Sequence, residues 1–211
     1  GPDLHFVQSQ ISKWKNRLKT PGQLDPQNPG DEQLVQIYYN YEKIKKQECV
    51  LDFDDLLLLP VQMFKQNEEM LEKYREKFPY ILIDEYQDTN MAQYAFIRQL
   101  GAHGNVCATG DPDQAIYGWR GADISNILDF EKDFPGCEQV LLEENYRSTK
   151  HILQAAQQVV EHNTQRKDKT VFTENTYGDP ITLITVDDNN EESKAIAIRC
   201  RALQNHGRDF K

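Results

Sequence analysis

From Tyr80 onward the chain alternates short aliphatic runs, bounded by turn residues, with stretches of helical periodicity. This alternation narrows the possible folds more than any other feature, because parallel strands buried on both faces read as continuous apolar runs joined by crossover helices. The expected class is α/β with a parallel sheet. "YILID", "NVCATGD", "EQVLLEENYRS" and "PITLITV" read as strands. Helices are expected over Met91 to Leu100, closed by Gly101, over Asp123 to Phe130, over Ser148 to His162 with Ser148 as cap, and over Glu191 to Leu203.

The part before Tyr80 is helical. Between His5 and Lys19, Phe6, Ile11, Trp14 and Leu18 recur at helical spacing with lysines between them. "TPGQLDPQNPGD", with three prolines and two glycines, makes a loop, and Asp31 is placed to cap a second helix whose face carries Leu34, Tyr38, Tyr41 and Ile44. Asp52 is placed to cap a third helix from Phe53 to Phe64, kinked by Pro60, and "NEEMLEKYREKF" forms a fourth.

A formal net charge of -10 argues against a wholly basic nucleic-acid surface, since Lys and Arg contacts to phosphate dominate that kind of affinity. Local patches are still available: "ISKWKNRLKT" carries four basic residues and no acid. The four cysteines lie far apart, without C-x-x-C or a histidine at metal-ligand spacing, and read as reduced thiols. Neither a signal peptide nor an apolar run of membrane-spanning length is present, so a cytosolic or nuclear protein with no membrane partner is expected. The leading Gly-Pro reads as a cleavage scar, which makes the chain a piece of something longer.

Ligands of open parallel sheets bind beyond the carboxyl ends of the strands, where Asp84 and Glu85 fall. One carboxylate there can hold Mg²⁺, a hard ion that takes oxygen ligands and keeps several waters. Its neighbour is then placed to orient or deprotonate an attacking water. For a lone acidic pair, a solvated loop is the plainer reading. The next strand end, "CATGDPDQAIYGWRGAD", brings Asp111 and Gln114, then Tyr117, Trp119 and Arg120. Gln114 can bond a terminal phosphate or its water, and the aromatic and basic cluster can stack on exposed bases. Trp119 taken alone reads first as a core anchor. In "ENYRST", Arg147 offers a planar fork to phosphate and Tyr146 a flat face to a nucleobase, against the plainer alternative of a helix cap beside a surface arginine.

"ILIDEYQDTN", "GDPDQAIYGWRGAD" and "LEENYRST", in this order and spacing, resemble motifs II, III and IV of the UvrD/PcrA/Rep group of superfamily-1 DNA helicases, and "LDFDDLL" resembles the segment leading into motif II. The likeness covers Cys49 to Gly178. It implies a RecA-like parallel sheet of the P-loop NTPase type, incomplete here, with an N-terminal helical subdomain. Residues 1–56 would end a helical insertion, 57–137 would complete the first RecA-like domain, and 138–211 would begin the second. The resemblance further implies ATP and Mg²⁺ as cofactors, with Asp84 holding the metal, Glu85 activating water and Gln114 sensing the γ-phosphate. Tyr146 would stack on adenine, Arg147 would act as an arginine finger, and Trp119, Tyr117 and Arg120 would meet single-stranded DNA. The implied activity is ATP-dependent 3′ to 5′ translocation at duplex junctions, in the cytoplasm at the nucleoid.

One departure is large. No Gly-Lys pair occurs, so the phosphate cradle G-x-x-x-x-G-K-[ST] is absent from the chain. An arginine finger is worth about 10³ to 10⁵ in rate only where phosphates are already cradled, so the isolated chain is expected to be inactive. Missing strands would leave apolar edges open to rearrangement or self-association. Two other readings stand beside this one: a two-metal nuclease built from Asp84, Glu85, Asp88, Asp111 and Asp113, and a non-enzymatic module that docks partners through its helices.

Overall fold

A computed structural model of the chain describes residues 2–164 and 169–208. It divides into two compact units, Gly1–Leu141 with Val160–Lys169, and Leu142–Val159 with Thr170–Lys211.

The first unit opens with α1 (Leu4–Asn16), capped by Asp3, whose carboxylate accepts the Phe6 N–H at 3.0 Å. Leu18 follows in the left-handed region (φ 59), so the helix stops short of the expected Lys19. α2 (Pro29–Glu48) is capped by Asn28, not Asp31. Asn28 accepts the Asp31 N–H at 3.0 Å, and Pro29 fills the first turn, where its missing N–H would have had no helical partner anyway. Val7 and Ile11 of α1 pack on Tyr38 of α2, and Trp14 stacks on Tyr38 with centroids 5.8 Å apart.

α3 (Asp55–Gln66) starts later than expected and continues through Pro60. The expected cap residue Asp52 does accept the Asp55 N–H at 2.9 Å, and Asp55 accepts the Asp52 N–H at 3.0 Å in return. The same two carboxylates meet two lysines. Lys15 of α1, 0 % exposed, places Nζ 2.6 Å from Asp52 and 2.5 Å from Asp55. Lys45 of α2 reaches Asp52 at 3.0 Å and Asp55 at 2.5 Å. Glu42 lies 3.3 Å from Lys15 and 2.9 Å from Lys45, and the Tyr41 hydroxyl donates to Asp52 at 2.9 Å. Three helices are thereby braced by buried charge.

α4 (Glu68–Lys77) and α5 (Met91–Leu100) complete the helical layer, with Phe64, Leu71 and Leu100 packed together and Phe96 stacked on Phe64. β1 (Ile81–Ile83) and β2 (Val106–Ala108) pair in parallel, Ile81 opposite Val106 and Ile83 opposite Ala108. One face of this two-stranded sheet carries Ile83, Val106 and Ala108 onto Tyr86, Ile97 and Phe134. The other presents Leu82, 80 % exposed, and Cys107. The parallel α/β expectation is met on this small scale. The expected helix at Asp123 to Phe130 is instead two single turns, α6 (Ser125–Leu128) and α7 (Phe130–Asp133).

In the second unit, α8 (Lys150–Val160) and α9 (Asn189–Asn205) form near the expected positions, α9 capped by Asp188. The expected strands "EQVLLEENYRS" and "PITLITV" do not form among the described residues. A single parallel bridge joins Glu144 to Phe172, with the Asn145 N–H donating to Phe172 O at 2.7 Å. Apolar alternation specifies a face but supplies no ladder partner, and Leu142, Ile181, Leu183 and Ile184 remain exposed. No described helix is long and apolar enough to cross a membrane.

The brace generates a pH dependence. Burial pushes the Asp55 carboxyl up, but hydrogen bonds from Lys15 and Lys45 outweigh it and hold the group below the usual carboxylate range, as they do Asp52. The resulting stability is fully present above the unfolded carboxylate pKa near 4 and drains away as pH falls below it. Asp55→Ala is expected to cost about 3 to 5 kcal/mol, because it removes the most buried of the carboxylates that compensate two buried ammonium groups. Denaturant unfolding followed from pH 7 to acid should show a steep acid limb in the wild type and a shallower one in the variant.

Candidate functional site

The parallel ladder continues past the strand ends: the Thr109 N–H donates to Ile83 O at 2.8 Å and the Tyr86 N–H to Thr109 O at 2.9 Å. These bonds set the acidic residues after β1 beside the loop after β2. Asp84 Oδ1 accepts the Glu85 N–H at 3.0 Å and the Thr109 hydroxyl at 2.6 Å. Both bonds use one oxygen. The residue is exposed, and a carboxylate is a hard donor of the kind Mg²⁺ takes. Glu85 is also exposed and sits in the left-handed region at φ 52.

Gln87, which the sequence reading passed over, joins the two loops. It is 1 % exposed, donates Nε2 to Glu85 Oε2 at 2.7 Å, and accepts the Asp111 N–H on Oε1 at 3.0 Å. Asp111 Oδ2 accepts Gln114 Nε2 at 2.9 Å. A continuous hydrogen-bonded line therefore runs from Glu85 to Gln114. Burial pushes the Asp111 carboxyl up, yet hydrogen bonds from Lys169 and Gln114 prevail and hold it below its ordinary range. Beneath this line Tyr86 is fully buried, edge-on to Phe130 at 5.4 Å, and burial pushes its hydroxyl pKa up to about 12.

Beyond Gln114 lies the aromatic cluster. Trp119 is 75 % exposed, which rules out the core-anchor alternative. The Arg120 guanidinium lies 4.7 Å from the Trp119 ring and 5.5 Å from Tyr117. The segment is stitched back to the loop after β1, where the Asp123 N–H donates to Thr89 O at 3.0 Å and buried Asn126 donates to the same carbonyl at 3.0 Å. Asn90, which caps α5, also donates to Asn16 of α1 at 2.7 Å, so the helical layer reaches the site.

Tyr146 and Arg147 belong to the second unit and are exposed. The Tyr146 hydroxyl donates to Glu144 at 2.6 Å, which raises its pKa. Asn145 accepts the N–H groups of Arg147 at 3.0 Å and Ser148 at 2.8 Å, so Asn145, rather than Ser148, organises the turn before α8.

A two-metal nuclease needs several carboxylates converging on one point. Among the described residues, three such groups come within 4.8 Å of one another only at Glu42, Asp52 and Asp55, where Lys15 and Lys45 already sit.

The UvrD/REP helicase N-terminal domain family matches residues 3–135, and the UvrD-like helicase C-terminal domain family matches residues 140–211. The ATP-dependent DNA helicase PcrA of Staphylococcus epidermidis (strain ATCC 12228 / FDA PCI 1200) is 42% identical over 203 residues, 95% of this chain and 28% of the relative. PcrA of Staphylococcus aureus (strain NCTC 8325 / PS 47) is 42% identical over 204 residues, with the same coverage of 95% and 28%. The chain thus spans little more than a quarter of the length of these relatives.

The packing around Gln87 makes a prediction. A Cβ on Gly110 would lie 2.6 Å from Gln87 Oε1, 2.8 Å from Ile127 Cδ1 and 3.2 Å from the Tyr86 backbone N. Gly110→Ala is therefore expected to destabilise the chain by about 1 to 3 kcal/mol through overpacking, measurable as a lowered Tm.

Proposed function

Because the chain belongs to the UvrD/REP helicase family, we propose that the protein carrying it is an ATP-driven motor that moves 3′ to 5′ on single-stranded DNA and opens duplex junctions. The observation that carries this reading is the line Glu85–Gln87–Asp111–Gln114, which joins the ends of two parallel strands next to an exposed aromatic cluster. Residues 57–137 contribute to the first RecA-like lobe, residues 1–56 to its helical insertion, and residues 138–211 to the start of the second lobe.

Asp84 would hold Mg²⁺, which when bound screens the phosphate charge. Glu85 orients and deprotonates the water that attacks the terminal phosphate, and Gln114 bonds that phosphate. Tyr146 stacks on adenine, and Arg147 brings a planar fork to the charge that develops in transfer. Trp119, Tyr117 and Arg120 grip bases by stacking. At about 1 to 3 kcal/mol per base, that grip holds between steps and still releases. The connection from Gln114 through the segment Ala115 to Asp123 gives phosphate binding a covalent route to the DNA-facing rings.

The full-length protein should release phosphate with single-stranded DNA present, and Glu85→Gln should slow that release by about 10²- to 10⁴-fold while ATP still binds. The isolated chain, which lacks the glycine-lysine cradle, should release none above buffer. Wild-type turnover by the Glu85→Gln protein would reject the base assignment. Separately, Trp119→Ala should weaken binding of single-stranded DNA by about 1 to 3 kcal/mol, read by fluorescence anisotropy at fixed salt, with Trp119→Phe retaining most of the affinity.

A further inference from the structure

We infer that Gln87 is the positioning residue for water activation: its side-chain amide holds the Glu85 carboxylate in register with the loop that carries Gln114. The inference rests on the reading of Glu85 as the base. Glu85 leaves β1 in a backbone conformation (φ 52) that residues with a Cβ seldom adopt, and its side chain is exposed. Its direction therefore depends on what holds the carboxylate. Gln87 Nε2 does so at 2.7 Å, with a longer contact of 3.3 Å to Asp88 Oδ2. Hydrogen bonds to an ionised carboxylate are roughly twice as strong as neutral ones.

The other end of the same amide accepts the Asp111 N–H at 3.0 Å. Donating to a carboxylate at one end while accepting from a peptide N–H at the other is something a primary amide does and a carboxylate or thioether cannot. Asn would be one methylene shorter. Burial at 1 % exposure locks the rotamer, and Gly110 leaves the space that Oε1 occupies, since a Cβ there would lie only 2.6 Å from it. Asp111 also holds Gln114 at 2.9 Å, so the Gln87 amide sets the Glu85 carboxylate against the loop that carries the phosphate ligand.

The test uses the full-length protein, with ATP turnover measured at saturating single-stranded DNA and Tm measured alongside. Gln87→Met keeps length but neither bond. Gln87→Glu keeps an acceptor for the Asp111 N–H but places a carboxylate against Glu85. Both are expected to lower kcat by about 10- to 100-fold, the usual loss when the partner that orients a functional group is removed, with KM for ATP little changed. Gln87→Glu buries a charge beside Glu85 and Asp88 and should lower Tm, so kcat is taken per bound ATP at a temperature below the melt of each variant, and a loss of kcat with ATP binding retained stands whatever Tm does. In a Glu85→Gln background neither substitution should slow single-turnover phosphate release further, because residues that act as one unit are non-additive. Unchanged kcat in both variants, full recovery in Gln87→Glu, or an undiminished further loss on top of Glu85→Gln would each overturn the inference. Wild-type turnover in Glu85→Gln alone would instead remove the base assignment on which it rests.

Discussion

The parallel pairing of β1 with β2, prolonged by the bonds of Thr109 to Ile83 and Tyr86 to Thr109, is the constraint on which the site depends. Parallel strands end on the same edge, so the groups that follow them are delivered side by side. Here the pairing puts Asp84 and Glu85 next to Thr109, Asp111 and Gln114. Tyr86, buried on Phe130 and Ile97, anchors the loop while Asp84 and Glu85 before it stay exposed.

A second layer of constraint comes from the helices. The Lys15, Lys45, Asp52 and Asp55 cluster ties α1, α2 and the start of α3 together, and α3 packs on α4 and α5 under the sheet. Asn16, one residue along from Lys15, bonds Asn90 at the head of α5 and Asp54 at the head of α3. An N-terminal segment that looks remote in sequence is thus joined to the loop that carries the acidic pair. Buried ion pairs owe little net stability to their Coulomb attraction once desolvation is counted, but removing a partner is costly. The cluster joins all three helices through shared partners.

Much was legible beforehand. The helices α2, α3, α4 and α5 followed from helical periodicity and both strands from short aliphatic runs between turn residues, and their apolar residues meet in three local cores. Asp84, Glu85, Gln114 and the Tyr117, Trp119 and Arg120 cluster were legible as candidates from their place after strands. The part that was not legible depends on partners distant in sequence. Gln87 looked like one more polar residue in an acidic loop, and only the approach of Asp111 shows that its amide bridges the loops that follow two strands. Lys15 looked like one of several lysines on a helix face, and only Asp52 and Asp55 explain its burial. The two missing strands of the second unit make the same point: "PITLITV" has the composition of a strand, but a ladder needs a neighbour.

By itself, the amino-acid order determined most of the helices, two of the four expected strands, the family, and which residue types stand at the strand ends, because helix periodicity, turn residues and motif spacing act over a few positions. Tertiary structure decided which of those residues touch, that Trp119 lies outside the core, and that a glutamine joins the acidic loop to the glutamine-bearing one. The division has a plain cause: hydrogen bonds and burial depend on distances across the fold, and a linear pattern carries those only when both partners lie within the same element.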